Sequence, residues 1–117
     1  MAALQPAEPV TPPPVASSAV AWINRRRAMV ATMSRDGRVT TCEISRGWLS
    51  DRAYVAQVVR VIGDCRRVVI LGPSSVRLTL EREYVSRYQR PDRLVDVEPA
   101  GAVELQDLVD RLRMLVT

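Results

Sequence analysis

Hydrophobic positions in this chain change period several times, and each change marks an element. Residues 68–71, Val-Val-Ile-Leu, form an unbroken, β-branched apolar run, the pattern of a strand buried on both faces. Gly72-Pro73 stops the run, and Ser74 or Ser75 can cap a helix beginning at Val76. Upstream, residues 19–23 and 28–33 read as two strands interrupted by Arg25-Arg26-Arg27. Asp36-Gly37 is a strong hairpin turn signal. Val39 to Ser45 then alternates, with Cys42 and Ile44 on one face and Thr41 and Glu43 on the other, as in a strand with one wetter side.

Helical spacing replaces this pattern after Ser50, a good N-cap. Tyr54, Val55, Val58, Val59 and Ile62 make one stripe, and Gly63 marks its end. A second helix is predicted over residues 76–90 from Val76, Leu80, Tyr84 and Tyr88, stopping at Pro91. Residues 93–97 form a fifth strand. Pro99 is expected near the start of a third helix, whose stripe runs from Val103 through Leu108 and Leu112 to Val116. Asp107 and Arg111 are spaced for an i,i+4 ion pair on it.

The order is β-β-β-α-β-α-β-α, which predicts an α/β domain with a mixed five-stranded sheet and helices on its faces. This is the ribonuclease H-like arrangement of elements. It occupies residues 18–117 as a single domain. Residues 1–17 carry five prolines and read as a disordered tail.

Composition narrows the chemistry. All 17 basic residues are arginines, and the chain has neither lysine nor histidine. Lysine-based mechanisms are excluded, and the commonest general base and metal ligand is missing. Ribonuclease H chemistry needs clustered carboxylates to hold two metal ions. The first strand here ends in Asn24, and the fourth is entirely apolar, so nuclease activity is rejected. No cofactor or metal is expected, and the protein is read as a non-enzyme. Cys42 and Cys65 match no metal-binding spacing and read as reduced thiols. Without a secretory signal or an apolar run of membrane-spanning length, the chain reads as soluble and cytoplasmic.

Charge points to an acidic partner. Net charge is +4, and residues 18–52 carry seven arginines against three acids. Arg25, Arg26, Arg27, Arg35 and Arg38 are the candidate RNA phosphate contacts. Antiparallel connectivity puts Arg35 and Arg38 at the end of the sheet opposite the triplet. A solvated surface explains the same residues equally well. Ser74, Ser75 and Arg77 are a candidate anion site at the helix start, but the stretch lacks the glycines of a nucleotide loop, and a turn and cap without any ligand is the favoured reading. Trp48, beside Gly47, suits a partner contact or a stacked base; packing on the sheet edge is the alternative.

Several of these segments carry a family resemblance. Trp22-Ile23-Asn24-Arg25-Arg26-Arg27-Ala28, Ile70-Leu71-Gly72-Pro73-Ser74-Ser75-Val76-Arg77 and Val95-Asp96-Val97 resemble the middle domain of archaeal and eukaryotic class-one peptide chain release factors. They resemble the small bacterial relatives of that domain more closely still. The resemblance covers residues 18–117 and implies the fold of translational machinery components, with a home on the ribosome. It does not imply hydrolysis. Release factors carry a Gly-Gly-Gln loop between the third strand and first helix, where this chain has Ser45-Arg46-Gly47-Trp48-Leu49. The expected function is a binding module for the ribosome or structured RNA. The alternatives are a protein-interaction or self-associating domain, through a sheet edge or the Tyr84–Tyr88 side of the second helix, and a phosphorylated-ligand site at residues 72–77.

Overall fold

A computed structural model describes residues 16–115. Its elements are β1 (Ala16–Ile23), β2 (Arg27–Ser34), β3 (Val39–Ser45), α1 (Asp51–Ile62), β4 (Arg67–Gly72), α2 (Val76–Tyr88), β5 (Leu94–Pro99) and α3 (Leu105–Leu115), with a 3₁₀ turn over Pro91–Arg93. The strands form one sheet in the order β3-β2-β1-β4-β5. β1–β2 and β2–β3 pair antiparallel, whereas β1–β4 and β4–β5 pair parallel. This is the mixed five-stranded α/β sheet expected from the sequence. β1 begins at Ala16, so it takes in the last two residues assigned to the tail; residues 1–15 lie outside the described residues.

The uninterrupted apolar runs of β1 and β4 follow from burial on both faces. Ala19, Ala21, Ile23, Val68 and Ile70 face one way, against the stripes of α1 and α2. Val20, Trp22, Val69 and Leu71 face the other way, against Leu108 and Leu112 of α3. Small side chains at Ala19, Ala21 and Ala28 leave room for Tyr54 and Tyr84, both buried in the first of these layers. Strand alternation thus supplies two cores from one sheet.

Two local expectations fail. Pro99 does not open a helix; it is the last residue of β5 and pairs with Gly72. At the end of an edge strand, a missing N–H costs the ladder little. α3 starts later. There the Glu104 backbone N–H donates to Asp107 Oδ2 at 2.8 Å, the reach-back half of a capping box. Asp107 is therefore not Arg111's partner. Arg111 crosses to β5, where it pairs with Glu98 at 2.5 Å and Asp96 at 3.6 Å. The shared guanidinium holds the Glu98 carboxyl below its ordinary range, while the hydrogen bond that a protonated Asp96 donates to the Glu98 carboxylate raises Asp96.

α2 ends at Tyr88, slightly before the predicted stop at residue 90. Gln89 adopts the left-handed conformation, φ 53°, and its N–H closes on Val85 O. Arg90, directly before Pro91, is barred from helical backbone by the proline ring and sits at φ −134°. On the Tyr84–Tyr88 side of α2, Tyr84 is given over to the core and Tyr88 is half-buried against it, their ring centroids 4.9 Å apart.

Candidate nucleic-acid interface

Strand direction brings four connections to one end of the sheet: the β1–β2 turn, the β3–α1 loop, the β4–α2 turn and the β5–α3 connection. All three helices also start there, because β3, β4 and β5 all finish there. The helix N-termini add partial positive charge to whatever side chains the loops contribute.

The β1–β2 turn is closed by Asn24. Its side-chain Oδ1 accepts from the N–H groups of Arg26 and Arg27, each at 2.8 Å, and its own N–H donates to Arg27 O at 3.0 Å. An Asx-type turn of this kind needs a short polar side chain at the first position. The Tyr54 hydroxyl donates to Asn24 O at 3.0 Å and ties the turn to α1. Burial is the main cause that pushes the Tyr54 phenol up to about 12, with the nearby Arg46 charge opposing it.

The β3–α1 loop is knitted to the same turn, since Arg46 N–H donates to Arg26 O at 2.9 Å. Residues 46–49 form a tight turn: Leu49 N–H returns to Arg46 O at 2.9 Å, and Gly47 sits at φ 53° in its first central position. Positive φ there favours glycine. Arg46 Nε donates to Leu49 O at 3.1 Å, and its guanidinium pairs with Asp51 at 2.9 Å. Ser50 caps α1 as expected, accepting from Ala53 N–H at 3.1 Å. Trp48, at the tip of this turn, is 104% exposed and does not pack on the sheet edge.

The β4–α2 turn uses most of its polar groups internally, although the buried Arg77 Nε has no hydrogen-bond partner among the described residues. Ser74 Oγ accepts from Val76 N–H at 3.4 Å, while Ser75 makes no side-chain cap. The Arg77 guanidinium donates to Ser74 O at 3.0 Å and to Gly72 O at 3.4 Å. Of the three residues singled out as an anion site, Ser74 and Arg77 therefore hold the turn together. Ser75 lines a cleft of about 330 Å³ with Arg25, Arg46, Asp51, Val55, Val76 and Thr79. Sequence reasoning treated the arginine triplet and the serine turn as separate sites, and Arg46 was left out of the candidate set. The parallel β1–β4 pairing that joins them links residues 18–22 to residues 67–71, a separation no local pattern reveals.

Within the triplet, Arg27 lies 3.7 Å from Glu43, with its guanidinium 5.8 Å from the Trp22 ring centroid. Arg25 and Arg26 are exposed, and neither has a side-chain hydrogen bond or ion pair among the described residues. Arg35 and Arg38 lie at the opposite end of the sheet, in the β2–β3 turn, where Asp36 bonds Ser34 and the Arg38 N–H. The Ser34 hydrogen bond is the main cause holding the Asp36 carboxyl below its ordinary value. The five predicted phosphate contacts thus divide into two groups.

Among the described residues no group of three or more His, Cys, Asp or Glu is placed to hold a metal ion, and no helix is long and apolar enough to cross a membrane.

Solved structures share this architecture. Pelota from Archaeoglobus fulgidus superposes with a TM-score of 0.61 at 16% identity, over 87% of this chain and 32% of that one. Pelota from Thermoplasma acidophilum gives 0.59 at 18% identity, over 86% and 33%. An archaeal translation termination factor, aRF1, gives 0.57 at 13% identity, over 80% and 32%. This chain spans about a third of the length of these proteins, so the likeness is that of one domain, and at such identities it establishes the fold. It agrees with the release-factor resemblance of the sequence at that level. No protein-family model matches the sequence. No curated protein matches it either.

Proposed function

We propose that this chain is a non-catalytic binding module that engages structured RNA, on the ribosome or around it, through the basic end of its sheet. The observation that carries this reading is the placing of Arg25 and Arg46 in the cleft beside the N-termini of α1 and α2, with Arg26 exposed on the same turn as Arg25 and the Arg25 and Arg26 guanidiniums unpaired. Unpaired, exposed arginines at helix starts are suited to phosphate oxygens. The fold neighbours lend support: one is a translation termination factor, and another, the S. cerevisiae protein Dom34, is described as a translation termination-like factor involved in RNA quality control. A cytoplasmic location follows from the same reading. The absence of histidine and lysine supports a binding role over a catalytic one.

The test is sedimentation of the tagged protein with ribosomes from a native lysate, at low and high salt, with nuclease-treated controls. Co-sedimentation that is lost at high salt and after nuclease treatment is the expected result. Protein that stays in the supernatant throughout would overturn the reading. A second reading is favoured by the cleft itself, whose volume and polar lining suit a small phosphorylated ligand. A flat thermal-shift screen with phosphorylated metabolites would remove it.

A further inference from the structure

The two tryptophans of this chain are treated in opposite ways. Trp22 is 2% exposed, and its indole N–H donates to Gly101 O at 2.8 Å, the arrangement a buried tryptophan requires. Trp48 is fully exposed and its ring has no packing partner among the described residues. Its turn is nonetheless well braced. The Leu49-to-Arg46 backbone bond, the Arg46 side chain on Leu49 O and Asp51, and the Arg46-to-Arg26 bond hold it from four directions. The indole is therefore presented from a fixed base, with little backbone ordering left for a partner to impose.

The surroundings discriminate between partners. A protein hot spot sits in a packed patch whose surrounding contacts exclude water from the anchor. Here the flanking side chains are Arg46, Ser50 and Asp51, with Arg25 and Arg26 on the adjoining turn; Leu49 is the only other large apolar side chain exposed in the β3–α1 loop. A lone exposed aromatic face with unpaired guanidiniums on the adjoining turn suits an unpaired nucleotide, where the base stacks and the backbone meets positive charge.

Resting on the RNA reading above, we propose that Trp48 stacks on an unpaired RNA base and that Arg25 and Arg26 contact the phosphates beside it. The base must be unpaired because one inside a duplex already has both faces covered by its neighbours. Recognition is then of a single-stranded segment or loop rather than of a helix by shape.

The experiment compares a short unstructured oligoribonucleotide with a blunt RNA duplex, using wild type, Trp48→Ala and Trp48→Phe. The side chain has no packing partner, so all three should melt at the same temperature. Single-stranded RNA should quench tryptophan emission in the wild type. Trp48→Ala should weaken single-strand binding by roughly 5- to 100-fold, while Trp48→Phe restores most of it. Duplex affinity should be the same in all three. Single-strand affinity unaffected by Trp48→Ala would overturn the proposal while leaving the RNA reading standing on salt-sensitive binding. Equal losses for both RNAs would overturn it too, since a contact indifferent to pairing is not a stacking platform. Loss of ribosome co-sedimentation with both RNA affinities intact would assign Trp48 to a protein partner instead. If neither RNA nor ribosomes bind the wild type, the proposal and the function it rests on fall together.

Discussion

Single residues in the core set the response to alkali. Burial pushes the Cys65 thiol and the Tyr84 phenol up to about 12, and does the same to Tyr54. In the unfolded chain these groups ionise nearer 9 to 10. Above that range the unfolded state loses protons that the folded state keeps, so stability falls as pH rises from about 9 towards 12. Thermal unfolding followed across this range should show the decline, and Tyr84→Phe should flatten it while costing stability at neutral pH through the lost bonds to Gly63 O and Cys65 N–H. Cys65 is buried and Cys42 half-buried, so a thiol reagent at pH 8 should modify Cys42 first. Gly72 is constrained by close approach: a Cβ there would run into the Ile23 carbonyl oxygen. Backbone cannot yield as a side-chain tip can, so Gly72→Ala should cost about 1–3 kcal/mol in urea unfolding. The sequence marked Gly72 as the end of a strand. It could not show the neighbouring β1 backbone that makes glycine obligatory.

At the level of elements, legibility tracked the strength of the local pattern. In α1 the five stripe residues are the five buried ones, and Ser50 caps it, because periodicity and cap chemistry act within a few residues. Replacing Ser50 with Ala should therefore cost about 1 kcal/mol, measured by denaturant unfolding. The apolar run of β4 likewise announced a strand covered on both sides. Where partners lie far apart in sequence, local rules chose wrongly. Arg111 was spaced for Asp107 but satisfies Glu98 and Asp96 on β5, and Asp107 turns back to the start of its own helix. Pro99 fits either a helix start or an edge-strand end, and only the β4–β5 ladder decides. Tyr84 and Tyr88 lie on the apolar stripe of α2, which is a core signal as much as the docking face of the alternative reading, and burial gives Tyr84 wholly and Tyr88 in part to the core.

For the whole molecule, one sheet separates two apolar cores, and its two ends differ in the side chains and helix termini they carry. The end where β4 and β5 finish collects the helix starts, the Asn24 turn and the β3–α1 loop. The opposite end holds Arg35 and Arg38 beside Asp36. The sequence revealed the excess of arginine in residues 18–52 but not which arginines share a surface, because the parallel β1–β4 contact assembles that surface. On the proposed reading, charge at the first end, rather than the net charge, drives RNA binding. It is tested most directly by the salt dependence of affinity for a structured ribosomal RNA fragment, measured by anisotropy for the wild type, Arg25→Ala/Arg26→Ala and Arg35→Ala/Arg38→Ala. Each double variant removes the same charge. The first should weaken binding and reduce the slope of log K against log salt by roughly 2, about one for each lost phosphate contact. The second should leave both nearly unchanged. Equal effects from the two pairs, or none from the first, would contradict the account.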